Sequence, residues 1–237
     1  MGKRLIQQAR GKGGPVYKVT SFRHKGKPMH KKVDHNTSIS GKVTDLVKCQ
    51  GHTAPLAEIV YEDQNKGYIL ACEGLKVGDS ISVGEANFEN GSSVRLKDIP
   101  EGTVVYNIEA TPGDGGKFIR SGGVFGKILS KTENKVIIIL PSKKQKLFHH
   151  ECKASIGVVA GGGRTDKPFL KAGNKYYAKR ARHKLYPKVS GASQNAVDHP
   201  IGNKRSSRKS KAKPVSRHAP PGRKVGSIAA RRTGKKK

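Results

Sequence analysis

Leu56-Ala57-Glu58-Ile59-Val60-Tyr61, Tyr68-Ile69-Leu70-Ala71-Cys72, Ser80-Ile81-Ser82-Val83 and Thr103-Val104-Val105-Tyr106-Asn107-Ile108 decide the fold class. Each run is short, rich in β-branched and aromatic residues, and bounded by turn formers, which is the composition of a half-buried strand. Asn65-Lys66-Gly67, Glu73-Gly74, Val77-Gly78-Asp79, Asn90-Gly91 and Glu101-Gly102 punctuate the runs at the spacing of small barrels or sandwiches. No stretch in this part of the chain keeps a helical period. Val136-Ile137-Ile138-Ile139-Leu140 is apolar at every position and predicts a strand buried on both faces. The class is all-β.

Strand patterning lapses near Arg95–Pro100, so the strands divide into two small barrels more readily than they close into one large one. A small barrel has a thin core, which suits a module whose final stability comes from a partner. The expected division is a basic extension over 1–36, barrels over 37–97 and 98–172, and a basic tail over 173–237.

The partner is indicated by charge. Lys and Arg number 48 against 17 Asp and Glu, a formal net charge of +31. Residues 1–40 hold 10 basic and 1 acidic side chain, residues 41–170 hold 17 and 15, and residues 171–237 hold 21 and 1. A nearly neutral middle suits a folded domain. The ends have too little apolar residue to offset the entropy of ordering and are expected to order only on meeting a polyanion. An anionic membrane is the competing partner, but no apolar run reaches spanning length and Met1-Gly2-Lys3-Arg4 leads into no signal-type stretch, so the chain reads as cytosolic. Cys49, Cys72 and Cys152 lie far apart with no CxxC spacing, as expected of reduced, partly buried thiols.

Three segments carry the chemistry of nucleic-acid binding. In Pro112–Gly123, five glycines surround Lys117 and Arg120; such a loop lets the backbone approach a phosphate and offer it N–H groups. A flexible hairpin loop is the plainer alternative. Lys175-Tyr176-Tyr177-Ala178-Lys179-Arg180, with Arg182, His183, Lys184 and Tyr186, mixes cations for phosphate with rings that stack on unpaired bases, although a solvated basic helix would read similarly. Arg205-Ser206-Ser207-Arg208-Lys209-Ser210-Lys211 is a basic cluster that by itself also reads as a localisation signal or heparin-type patch. Lys12 within Gly11-Lys12-Gly13-Gly14-Pro15 and Arg23 within Phe22–Lys27 complete the pattern at the other end.

The landmarks Gly67-Tyr68-Ile69-Leu70-Ala71, Gly74-Leu75-Lys76-Val77-Gly78-Asp79, Ile99-Pro100-Glu101-Gly102-Thr103, Pro112-Gly113-Asp114-Gly115-Gly116-Lys117, Arg120-Ser121-Gly122-Gly123 and Asn195-Ala196-Val197-Asp198-His199-Pro200 occur in that order. Over roughly residues 30–200 the chain resembles the second protein of the large ribosomal subunit, the universal L-two family, in its archaeal or eukaryotic form. The resemblance implies an oligonucleotide-binding-type (OB) barrel followed by an SH3-like barrel, with extended basic tails threading into ribosomal RNA. It implies a structural role supporting subunit association and the architecture around the peptidyl transferase centre. The implied partners are large-subunit ribosomal RNA, neighbouring ribosomal proteins and the small subunit, with no membrane and no small-molecule substrate. It makes Arg120 an RNA-binding position and places Asn195, Asp198 and His199 in RNA contact near that centre. Ser190 stands where the family usually has Arg, which removes a phosphate contact, and Ile201-Gly202-Asn203-Lys204 replaces a run of glycines.

Catalytic readings fail on spacing. Asp198 and His199 are sequence neighbours whose side chains would point apart in an extended segment, and no nucleophile accompanies them. Ser121–Ile128 approaches a P-loop but lacks its first Gly and its final Ser or Thr. Cys49 with His52, and His149 and His150 with Cys152, fall short of four ligands, so no structural zinc is expected. No cofactor is called for, and Mg2+ bridging RNA contacts is the one class of bound ion the reading admits.

Overall fold

The computed structural model describes residues 2–19, 24–33, 37–84, 87–203 and 214–230. The chain forms two units, one of residues 21–170 and one combining residues 1–20 with 171–237.

In the first unit, β1 (Ile39–Val47), β2 (Leu56–Tyr61) and β3 (Lys66–Leu70) form an antiparallel meander, β4 (Ser80–Val83) returns antiparallel to β1, and β5 (Ser93–Arg95) lies parallel to β4. Asp63 closes the β2–β3 turn by accepting the Asn65 backbone N–H at 3.2 Å, and Gln64 takes a left-handed φ of 58°. Alternate side chains of these strands, Val43, Ile59, Tyr61, Ile69, Ile81 and Val83 among them, fill one core. Gly41 is needed there, because a Cβ would stand 2.5 Å from Ile59 and 2.8 Å from Tyr61. These five strands are the OB-type barrel.

β6 (Val104–Tyr106), β7 (Gly126–Thr132), β8 (Lys135–Ile139), β9 (Gln145–His149) and β10 (Lys153–Ile156) make the SH3-like barrel. β7, β8 and β9 are consecutive antiparallel neighbours, while β10 returns to β6. β10 also pairs with β5, matching Ser93 with Ser155 and Arg95 with Lys153, so ten strands form a continuous sheet. Leu96 and Ile99, between β5 and β6, are fully buried. They join Leu56 and Leu70 from one barrel and Ile128 and Ile138 from the other in a common core. In β8 only one face is sealed: Val136 and Ile138 are buried, whereas Ile137 and Ile139 are half-buried. The expectation of burial on both faces is corrected here, because Ile137 lies beside Leu147 of the edge strand β9, itself 55% exposed.

All three cysteines are free and buried. Burial pushes the Cys72 and Cys152 thiols up, Cys152 to about 11, so both stay protonated and unreactive.

The second unit contains α1 (Ile6–Gly11), single 3-10 turns at Pro15–Tyr17 and Gly191–Ser193, α2 (Ala172–Arg180), and a short parallel pair of β11 (Pro214–Val215) with β12 (Ser227–Ile228). Among its described residues Leu5 is the one buried hydrophobic side chain.

Candidate nucleic-acid interface

The glycine-rich loop is held by its own carboxylates. Glu109, 1% exposed, accepts the backbone N–H groups of Gly113 (3.1 Å), Gly115 (3.0 Å) and Lys153 (2.8 Å). Asp114 accepts those of Ala110 (3.0 Å), Thr111 (3.2 Å) and Gly116 (2.9 Å). Burial works to raise the Asp114 pKa, but the N–H groups of Gly116, Ala110 and Thr111 and the Lys117 ammonium outweigh it and hold the carboxyl below its usual value. The expectation that these glycine amides are available to a phosphate is therefore corrected. They are saturated from inside, and what the loop turns outward is the exposed ammonium of Lys117, 3.2 Å from Asp114.

Arg120 braces the loop from its far end. Its guanidinium, half-buried, donates from Nη1 to the Gly116 carbonyl at 2.9 Å and from Nη2 to the Pro28 carbonyl at 2.7 Å. The segment it grips continues into His30, whose backbone N–H donates to the Gly115 carbonyl at 3.1 Å. The buried His30 ring lies between the Ser93 hydroxyl and the Asn107 carbonyl. A carbonyl can only accept, so Nε2 carries the proton and Nδ1 accepts from Ser93. Ser93 in turn accepts from Ser155, with the two oxygens 3.3 Å apart. One neutral histidine thereby ties the N-terminal segment to β5, to the residue after β6 and to the loop.

In the other unit, α2 carries Lys175, Tyr176 and Arg180. The Lys175 ammonium lies 5.3 Å from the Tyr186 ring centre, and Tyr176, 42% exposed, meets Tyr177 edge-on. Arg180 and Lys184 are exposed and Arg182 is half-buried. Lys12 is exposed just beyond α1. Asn195–His199 is a turn and not the extended segment expected, since the Asn195 carbonyl accepts the N–H groups of Asp198 and His199 at 3.0 and 3.1 Å. The imidazole Nδ1 of His199 accepts from the Ile201 N–H at 3.1 Å, and its ring covers Gly191 where a Cβ would stand. Among the described residues no group of three or more His, Cys, Asp or Glu is arranged to hold a metal ion, and no helix is long and apolar enough to cross a membrane.

Two family profiles match this chain, Ribosomal Proteins L2, RNA binding N-terminal domain, over residues 2–83, and Ribosomal Proteins L2, C-terminal domain, over residues 89–219. The chain belongs to the ribosomal protein L2 family. It is 50% identical over 235 residues to large ribosomal subunit protein uL2 of Archaeoglobus fulgidus, covering 99% of both chains. It is 48% identical over 241 residues to that of Methanothermobacter thermautotrophicus, covering 100% of both. For Haloarcula marismortui uL2 the figure is 46% over 236 residues, 99% of this chain and 98% of the relative. Membership in the L2 family makes this a ribosomal, RNA-binding structural protein and not an enzyme.

For an L2 protein the cationic residues fall into separate sets. Lys117 and Arg120 share the braced loop of the barrel unit, whereas Lys12, the α2 group and Asn195–His199 belong to the unit of the two ends. Arg23, Arg205 and Arg208 lie outside the described residues. Sequence reasoning missed Glu109 and His30 as the residues that shape the loop. Its available signal was Asp114 two residues before Gly116, the spacing at which a carboxylate bonds the backbone ahead of it.

Proposed function

We propose that this chain is a structural constituent of the large ribosomal subunit that binds large-subunit ribosomal RNA and supports subunit association and the architecture around the peptidyl transferase centre. The observation that carries the reading is the contrast between the units. The barrels have a continuous apolar core, while the segment with 21 basic and 1 acidic side chains belongs to a unit with one buried hydrophobic residue among those described. A body with that charge and so little core gains its stability from an anionic partner that neutralises it.

In this reading barrels at 37–97 and 98–172 form the rigid base, and extensions at 1–36 and 173–237 reach along RNA, the first anchored to the barrels at residues 28–30. Lys117 meets phosphate from the braced loop, and Arg120 combines its bracing bonds with RNA contact through its remaining N–H groups. Lys12, Arg23, Lys175, Arg180, Arg182, Lys184, Arg205 and Arg208 neutralise phosphates, Tyr176 stacks, and Asn195, Asp198 and His199 contact RNA. The small subunit and neighbouring ribosomal proteins are the further partners. Sedimentation of the native protein tests this: co-migration with large subunits is the expected result, and migration with DNA or as free protein would sink it.

A further inference from the structure

The unit of the two ends contains a small aromatic pocket that the basic composition alone does not explain. Tyr176 and Arg180 stand four residues apart on α2 and so share a face. Past the helix His183 takes a left-handed φ of 51°, and the Lys184 N–H returns to the Lys179 carbonyl at 2.9 Å. That turn sends the chain back along the helix and puts the Tyr186 ring beside Lys175. Arg10 secures the turn, donating from Nη2 to the His183 carbonyl at 3.0 Å, and brings Tyr17 to the same place. The resulting pocket, about 170 Å³, is lined by Tyr17, Tyr176 and Tyr186 with Arg10, Arg180 and Lys184, and no carboxylate lines it.

Rings and cations in one recess fit a ligand that joins a flat π-system to an anion. A nucleotide within a strand has both within a few bonds, and its phosphates continue on either side towards exposed Arg180 and Lys184. We propose that this pocket receives a single unpaired base of the RNA, stacked on tyrosine, with the flanking phosphates on Arg180 and Lys184. The inference rests on the ribosomal RNA-binding reading above and adds to it a base-sized site with Arg10 and Tyr17 as members.

The test uses the full chain with two probes, a short oligouridine and an abasic oligoribonucleotide of the same length. Tyr176→Ala and Tyr186→Ala should each weaken oligouridine binding about 5- to 150-fold, the range for losing one stacked base. Their affinity for the abasic probe and the dependence on salt should not change, and Tyr176→Phe should bind as the parent does. Arg180→Ala should weaken both probes and flatten the salt dependence. Equal affinity of the parent chain for the two probes, or equal losses on both in the tyrosine variants, would overturn the pocket. A measurement without variants guards against misfolding: in assembled large subunits carrying 4-thiouridine, crosslinks should map to residues 175–186, and crosslinking of that segment to protein alone would also overturn it. A chain that co-sediments with large subunits yet shows no base preference loses the pocket and keeps the broader function. A chain that does not co-sediment loses the broader function itself.

Discussion

The Glu109 carboxylate, sealed from solvent, accepts the Gly115 backbone N–H at 3.0 Å and thereby fixes the middle of the glycine-rich loop. Its other oxygen takes Gly113 and Lys153, so one side chain joins the loop to β10. The arrangement is that of a phosphate cradle whose anion is supplied by the protein itself.

Glu109→Gln removes a negative charge from a chain of net charge +31, which by electrostatics alone should strengthen RNA binding. The opposite is expected. The amide replaces one acceptor oxygen with a donor that faces backbone N–H groups, costing about 1–3 kcal/mol of barrel stability. Denaturant unfolding measures that loss, and faster hydrogen exchange at Gly113 and Gly115 locates it. RNA affinity that rises with no change in exchange would show that the carboxylate does not shape the loop.

Arg120→Ala should lower stability as well as binding, because it leaves the Gly116 and Pro28 carbonyls without their guanidinium donors. A loss of about 1–3 kcal/mol is expected. Arg120→Lys should restore only part, since one ammonium cannot reproduce two bonds in a fixed fork. Urea titration of the three proteins checks the order, and RNA binding measured well below the unfolding midpoint separates contact from bracing.

The strands were legible in proportion to how closely their sequences followed burial. β2 and β4 coincide with the runs Leu56–Tyr61 and Ser80–Val83, and β3 and β6 fall within a few residues of theirs. β1, β7 and β10 were not read because Gly41, Thr44-Asp45, Ser130-Lys131 and Lys153 interrupt their apolar alternation. In β1 and β7 a shift in register absorbs the interruption. β9 carries Lys146 and an exposed Leu147 because it is an edge. The loop was visible as glycine-rich, but its direction was not. Whether its amides face a phosphate or a carboxylate depends on Glu109, which its bond to the Lys153 N–H of β10 holds beside them.

His30 gives the barrels a pH dependence. Burial lowers its pKa from 6.5, helped by Lys153 and Arg120 and opposed by the Asn107 carbonyl and Glu109. A histidine whose folded value lies below its unfolded value binds more protons when unfolded. Its contribution is therefore complete above pH 6.5 and is lost as pH falls below that value towards the folded one. Asp114 and Glu151, whose folded values are depressed from 3.8 and 4.5, lose theirs only at lower pH. Stability of the parent chain should rise from pH 5 to pH 7, and His30→Gln, which keeps a donor and an acceptor without titrating, should flatten that rise. Parallel curves for the two proteins would assign the dependence to other groups.

Deleting residues 171–237 removes 21 of the 48 cationic side chains and 1 of the 17 acidic ones. The barrels keep their own core, so the shortened chain should remain folded and resist protease over residues 40–170. Its binding to large-subunit RNA should lose salt sensitivity, because each phosphate neutralised releases condensed counterions and contributes about 0.7 to 0.9 to the slope of log affinity against log salt. If even a third of the deleted cations meet phosphate, the slope should shallow by roughly 5, far more than the braced loop's Lys117 and Arg120 could account for. The same contacts add to the order of the tail, so residues 173–237 should be cut faster in the free protein than in the assembled subunit. An unchanged salt slope after deletion, or equal protection in both states, would mean that the tail's charge is not what holds this protein to RNA.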